Sequence, residues 1–316
     1  MRKALIVGID HYPNAPLQGC VNDANRIHKL LAQHHDDAPN FSCKQLTSSV
    51  KQKITRTALR KHLQDLFAYK NEFVLFYFAG HGIVNDFGGY LVTQDAVADD
   101  EGVAMLDLLN LANQSQATEI AIILDCCHSG EMGVIKALES EQAHLREGVS
   151  ILTAAQSNEP AAEQDGSGLF TTLICEGLEG GAADIAGNVT VAGLYAFVDQ
   201  ALGAWEQRPL FKSHVRRLLP LRKCKPVVGL EILRLLPRYF AFAEADHFLD
   251  PSYEPDAKEY KPKHGKIFSH LQKLRATGLV VPVGAEHMYY AAMKRKSCRL
   301  TSLGRYYWKL AKDGKI

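Results

Sequence analysis

The chain has 316 residues, 47% hydrophobic and 22% charged, with a formal net charge of +1. This is an ordinary soluble globular composition, with length for one large domain and a small one, and no run approaches the roughly 18 uninterrupted apolar residues of a membrane span. The seven cysteines are odd in number and form no C-x-x-C pair, which argues against a disulfide framework or a zinc site and for a reducing cytoplasm. Charge is unevenly spread: Asp250–Ile316 holds fourteen Lys/Arg against six Asp/Glu, so this stretch is +8 and the other 249 residues are −7.

In chain order, Lys3–Asp10 reads as a first strand; its apolar run is too short for a signal peptide and Asp10 ends it. Asn14–Gly19 is turn-rich. Asn22-Asp23-Ala24-Asn25 opens a helix, with Asn22 as its cap and Leu30 and Leu31 on its apolar face. Phe41–Thr47 is a short strand, and apolar residues at 59, 63, 66 and 67 give Thr55–Ala68 one helical face. Phe73–Phe78 is a continuous apolar run, as a strand covered on both sides requires, and it delivers His81 between Gly80 and Gly82. Gly88–Thr93 is a hairpin or short extension ending at Asp95, and Val103–Leu111 is a helix. Ile120–Leu124 is a second buried-strand run, and it stops abruptly at Asp125-Cys126-Cys127-His128-Ser129-Gly130.

A polar, somewhat helical interval follows over Glu131–Glu147. A fifth strand spans Val149–Ala154, helices span Gly168–Gly181 and Thr190–Leu202, and a sixth strand spans Pro209–Val215. Strands alternating with helices predict an α/β fold, a mostly parallel six-stranded sheet with helices on both faces. Residues 216–225 form a basic linker, so the domains are expected at 1–220 and 221–316. Beyond the linker, Gly229–Ala245 is a helix interrupted near Pro237, and Asp250–Lys263 is a loop. His264–Thr277 is a helix, Gly278–Pro282 and Met288–Ala292 are two short strands, and Leu300–Tyr307 starts a closing helix. The pattern L-x-x-L-x-x-x-G-L-V, a strand pair, then L-T-x-x-G resembles winged-helix domains. Its charge and the Lys294-Arg295-Lys296 run point to a protein partner with an acidic face, or to nucleic-acid phosphates.

The chemistry sits at two strand ends. Ligands of open α/β sheets bind at the carboxyl ends of the strands. Two adjacent parallel strands ending at one level bring His81 beside a thiol of Cys126 or Cys127. A thiol becomes a useful nucleophile when a base or cation favours its thiolate. Side chains alternate along a strand, so both thiols cannot face His81. Asp125 shares the face of Cys127.

The stretches F-Y-F-A-G-H-G and D-C-C-H-S-G resemble the His and Cys motifs of the caspase-like cysteine peptidases, most closely those of the metacaspase and prokaryotic caspase branch. His81 precedes Cys127 by 46 residues, close to the family's separation of roughly 50. The resemblance covers about residues 1–220 and implies the caspase–haemoglobinase fold and a cysteine endopeptidase. Cys127 would be the nucleophile and His81 the proton carrier, with the backbone N–H groups of Gly82 and Cys127 as the oxyanion hole. Gly19-Cys20-Val21-Asn22-Asp23-Ala24 resembles the metacaspase G-C-x-N-D-A stretch, so Asp23 and Asp125 match the acidic pocket positions. Two carboxylates in one pocket call for a cation between them, hence cleavage after Arg or Lys. Ala79 departs from the Ser of many metacaspases.

The resemblance also makes the interval after Cys127 an activation loop, with Lys136 and Arg146 as candidate autocleavage sites; the alternative is an uncut surface helix. Asp95, Asp99 and Asp100 lie where some metacaspases bind calcium. That set is incomplete, with Val134 where another carboxylate is wanted, so no metal or other cofactor is expected. Rival readings are a catalytically idle caspase-fold adaptor and a DNA-binding regulator. The resemblance further suggests a place in a prokaryotic defence or cell-death system.

Overall fold

The two apolar runs become neighbouring parallel strands at the centre of one sheet. The computed structural model describes residues 1–49, 53–86, 88–97, 100–128, 145–154, 163–164, 167–202 and 209–316; the side chains of 100, 127, 128, 163 and 164 are outside that description. The chain divides into two units, Met1–Ala183 with Asn188–Cys224, and Asp184–Gly187 with Lys225–Ile316.

The first unit runs β1 (Arg2–Gly8), α1 (Cys20–Ala32), β2 (Ser42–Thr47), α2 (Arg56–Phe67), β3 (Phe73–Asn85), β4 (Gly88–Val97), β5 (Asp100–Ala104), α3 (Met105–Gln114), β6 (Glu119–His128) and β7 (Val149–Thr153). It continues with β8 (Glu163–Gln164), β9 (Ser167–Gly168), α4 (Leu169–Glu176), a π turn over Gly177–Gly181, β10 (Asn188–Val189), α5 (Val191–Leu202), β11 (Leu210–His214) and β12 (Arg222–Lys223). The sheet order is β11-β7-β6-β3-β1-β2, parallel except at the β11 edge.

The sheet has eight strands rather than the expected six, because β3 runs on past His81 and turns back as β4, which pairs with β5. Val103 therefore belongs to a strand, and the helix begins at Met105.

Both sheet faces are covered, which is why the central strands are apolar at every position. On one face Val74, Phe76, Phe78, Ile120, Ile122 and Leu124 pack with Leu59 and Leu63 of α2 and Leu108 of α3. On the other Leu75, Tyr77, Ala121 and Ile123 pack with Ile27 of α1, Ile174 of α4 and Leu194 of α5. Burial of this kind stabilises by about 25 cal/mol per Å² of apolar surface.

The basic stretch after position 216 is not a free linker. Leu221 and Cys224 are buried in the first unit, and Arg222 donates to the carbonyls of Leu178 (2.8 Å) and Gln33 (3.0 Å).

The second unit holds α6 (Leu230–Leu233), α7 (Leu236–Tyr239), β13 (Asp246–Phe248), α8 (Pro262–Ala276), β14 (Val280–Val283), α9 (Met288–Met293), β15 (Ser297–Leu300) and α10 (Ser302–Lys312). Its antiparallel sheet has the order β13-β15-β14, and its core includes Leu236, Phe240, Phe268, Leu271, Leu274 and Trp308. Met288–Ala292 is helical, not the expected strand: Met288, Ala291 and Ala292 point inward at helical spacing. The second strand of that pair is Ser297–Leu300 instead.

Candidate active site

β3 and β6 pair in parallel with Ala79 opposite Asp125, His81 opposite Cys127 and Gly82 opposite His128. His81 and Cys127 thus stand level on adjacent strands and share a face of the sheet with Asp125. Cys126 falls on the other face, 7% exposed among the apolar residues packed by α2 and α3.

The surroundings of His81 come from a loop that carries no motif. Its backbone N–H donates to the Tyr12 hydroxyl at 3.0 Å, and that hydroxyl donates to the Val92 carbonyl at 3.2 Å. The Tyr12 and His81 rings lie 4.5 Å apart between centroids. A side chain at Gly80 would collide with the Tyr12 hydroxyl, which accounts for glycine there. His81 Nε2 is 2.7 Å from the Ala15 carbonyl oxygen. A carbonyl only accepts, so Nε2 carries the hydrogen and the neutral ring presents a bare Nδ1. Nδ1 is buried and has no partner among the described residues.

Asp23 and Asp125 converge on Gly168. Asp23 sits in the first turn of α1, 2% exposed, and its Oδ2 accepts the Gly168 N–H at 3.0 Å. Asp125, at the end of β6 and 9% exposed, accepts the Thr171 hydroxyl at 2.6 Å. A Cβ placed on Gly168 would stand 3.0 Å from Asp125 Oδ2 and 3.4 Å from Asp23 Oδ2. Asp23 Oδ1 is buried without a partner among the described residues.

Burial pushes Asp23 up to about 7; the Asp125 charge adds to this, while the Gly168 N–H and the Ser167 hydroxyl oppose it. Burial also raises Asp125, against the two hydrogen bonds from Thr171. Two buried carboxylates, one of which raises the other, carry a penalty when both are charged with no cation between them.

Asn22 does not cap its helix. Gly19 holds the cap position, and Asp10 at the end of β1 accepts the first backbone donors, Cys20 N–H at 2.8 Å and Val21 N–H at 3.2 Å. The Asn22 amide instead donates to Ser167 Oγ at 2.8 Å, joining α1 to β9 beside the acidic pair.

Of the candidate cut sites, Lys136 lies outside the described residues. The Arg146 guanidinium donates to the carbonyls of Ala112 (3.1 Å), Ala117 (2.6 Å) and Glu147 (2.5 Å), bonds that must break before it could enter a peptidase pocket. In the acidic patch, Asp95 Oδ1 accepts from Arg56 N (2.9 Å) and Thr93 Oγ1 (2.6 Å). Asp99 and the Asp100 side chain lie outside the described residues. Among the described residues no cluster of His, Cys, Asp and Glu could hold a metal ion, and no helix is long and apolar enough to cross a membrane.

A mostly parallel sheet with a His and a Cys level on its two central strands defines a caspase-type α/β fold. Solved structures share it. A Geobacter sulfurreducens protein, GSU0716, superposes with a TM-score of 0.53 at 14% identity, covering 71% of this chain and 99% of that one. Caspase-1 from Spodoptera frugiperda superposes with a TM-score of 0.51 at 14% identity, covering 71% and 90%. The caspase-domain family model matches residues 1–220, and the chain belongs to that family of cysteine peptidases. Metacaspase-8 of Arabidopsis thaliana is 28% identical over 162 residues. The match spans 46% of this chain and 41% of that relative, so the chain covers well under half of its length.

Proposed function

We propose that the first unit is a cysteine endopeptidase that cleaves proteins after Arg or Lys through a His81–Cys127 dyad. The observation that carries the reading is the buried Asp23–Asp125 pair, with one oxygen unpartnered among the described residues and with Asp125 on the sheet face of His81 and Cys127. A substrate guanidinium between these carboxylates would donate to both in bidentate geometry, and an ammonium would do so less rigidly. An aspartyl side chain would bring a third buried negative charge.

In this reading the Cys127 thiol gives its proton to His81 Nδ1, and the thiolate sulfur bonds to the scissile carbonyl carbon. The oxyanion takes hydrogen bonds from the Gly82 and Cys127 N–H groups; one such donor typically contributes about 3 kcal/mol to the transition state. His81 returns its proton to the leaving amine, and the acyl-enzyme forms. A water then attacks, losing a proton to His81, and the thiol is restored. The Ala15 carbonyl holds the ring in the required tautomer throughout. A set of fluorogenic peptides differing only at P1 tests the specificity: Asp-peptide turnover above Arg-peptide turnover would overturn it. Labelling by an arginyl chloromethyl ketone separates the enzyme from an idle adaptor of the same fold, since only a working dyad is alkylated at Cys127.

For the second unit we propose a module that meets an acidic protein partner or activator. Helix α8 carries Lys263, Lys266, Lys273 and Arg275 and no acidic residue. A gel shift with duplex DNA at low salt would reassign this surface to phosphates. The biological setting of defence or cell death is carried by the resemblance, and the neighbouring genes test it.

A further inference from the structure

Tyr77 lies in β3, fully buried, where a phenylalanine would pack as well as the flanking Phe76 and Phe78 do. Its hydroxyl nevertheless stands 2.6 Å from Thr171 Oγ1 of α4, itself fully buried, and Thr171 Oγ1 stands 2.6 Å from Asp125 Oδ2. No further bond of either hydroxyl appears among the described residues. The three groups form a single file through an otherwise apolar core, ending at one carboxylate.

The file has a direction. The Thr171 hydroxyl has one hydrogen and two oxygen neighbours. If it donates to Asp125, Tyr77 must donate to it, and every hydrogen has an acceptor. If Asp125 Oδ2 carried a proton and donated, Thr171 would donate to Tyr77, and the phenolic hydrogen would be stranded in hydrocarbon. A buried donor without an acceptor is costly, so the file keeps Asp125 Oδ2 an acceptor, and the hydrogen bonds that Thr171 donates favour the ionised carboxylate. Asp23 Oδ2 accepts the Gly168 N–H, but its Oδ1 is buried and unpartnered among the described residues.

We propose that Tyr77 and Thr171 are positioning residues that hold Asp125 as the standing anion of the substrate-cation pocket, leaving Asp23 to bind a proton when the pocket is empty and release it when the cation enters. This rests on the reading of Asp23 and Asp125 as the P1 pocket. Asp125 is faced by Tyr77 from β3, Thr171 from α4 and Asp23 from α1. Asp23 is faced by Asp125, by Arg26 of its own helix, by Ser167 of β9, by Cys175 of α4 and by Tyr77. Arg26 is the one cation in this group, and its guanidinium donates to Thr172 Oγ1 at 3.0 Å. Burial raises both carboxyls, Asp23 to about 7 and Asp125 against its two bonds from Thr171, so the division of roles rests on the hydrogen-bond file.

The test is a carboxyl-carbon NMR titration of the full chain labelled at aspartate, assigned with Asp23→Asn and Asp125→Asn. In the unmodified chain the proton taken up near neutrality is expected on Asp23, not on Asp125. Tyr77→Phe and Thr171→Val are expected to raise the Asp125 titration, by about one unit (a tenfold weaker acid) in Thr171→Val, and Thr171→Ser to restore it. With an Arg peptide, Tyr77→Phe should raise KM more than it lowers kcat and move the acid limb of kcat/KM to higher pH. An Asp125 titration unmoved in both variants, or the neutral-range proton found on Asp125 in the unmodified chain, overturns the proposal; the second readout needs no variant to fold. Absence of Arg- or Lys-peptide turnover with the expected titrations would instead strike the pocket reading, and with it the role of the file in substrate binding.

Discussion

His81 and Ala15 are joined by a 2.7 Å contact from the ring Nε2 to a backbone carbonyl oxygen. The contact dictates the tautomer, so nitrogen NMR is expected to show His81 protonated on Nε2 and bare on Nδ1 in the neutral ring. His81→Gln, whose amide nitrogen can keep the bond to Ala15, should unfold within a few degrees of the unmodified chain yet lose roughly a thousandfold or more in kcat/KM. Turnover within tenfold of normal would put the base elsewhere.

The two adjacent cysteines should behave differently. Cys127→Ala is expected to remove peptidase activity and chloromethyl ketone labelling together, with a loss of roughly four orders of magnitude or more. Cys126→Ala trims a thiol packed against the α2–α3 face, 7% exposed, and should cost about 1 kcal/mol of stability with activity within tenfold. The opposite pattern in a denaturation and peptide-turnover series would mean that the register of β6 differs at its end.

Gly168 tests the acidic pocket from its roof. Its φ of −67° suits any residue, so Gly168→Ala carries no backbone strain. The new methyl would stand 3.0 Å from Asp125 Oδ2 and 3.4 Å from Asp23 Oδ2, in space a substrate cation would share. KM for an Arg peptide is expected to rise about tenfold, equivalent to roughly 1.4 kcal/mol, with the thermal midpoint little changed. An unchanged KM would move the cation elsewhere.

Asp23 links the pocket to pH. Its carboxyl is raised from 3.8 to about 7 in the folded chain, chiefly by burial. Between those values the folded chain holds a proton that the unfolded chain has released, so stability falls as pH rises toward 7. The whole effect amounts to as much as about 4 kcal/mol at roughly 1.4 kcal/mol per unit. Urea unfolding at pH 5 and pH 8, which spans about two of those units, should show a loss of roughly 3 kcal/mol in the unmodified chain and a much smaller one in Asp23→Asn. An equal loss in both would assign the proton to another group.

The sequence by itself determined the strands that carry His81 and Cys127. A central strand covered on both faces must be apolar at every position, and Phe73–Phe78 and Ile120–Leu124 satisfy that without help from any partner. Helical periodicity likewise located the face of α2, where Leu59, Leu63, Leu66 and Phe67 are buried. The acidic pair was legible as two carboxylates next to recognisable motifs. Their common neighbours were not: Gly168 and Thr171 lie far along the chain from Asp23 and carry no pattern of their own.

Tertiary structure alone decided three further matters. Ala15 contributes a backbone carbonyl, which every residue has, so no residue type could announce it. The β4–β5 extension exists because β3 keeps pairing beyond His81. Met288–Met293 is too short an apolar run for its period to distinguish strand from helix, and burial of Met288, Ala291 and Ala292 against the second core settles it as a helix. For Ala15 and for Met288–Met293 the deciding interaction joins segments distant in sequence, and local propensity does not encode it.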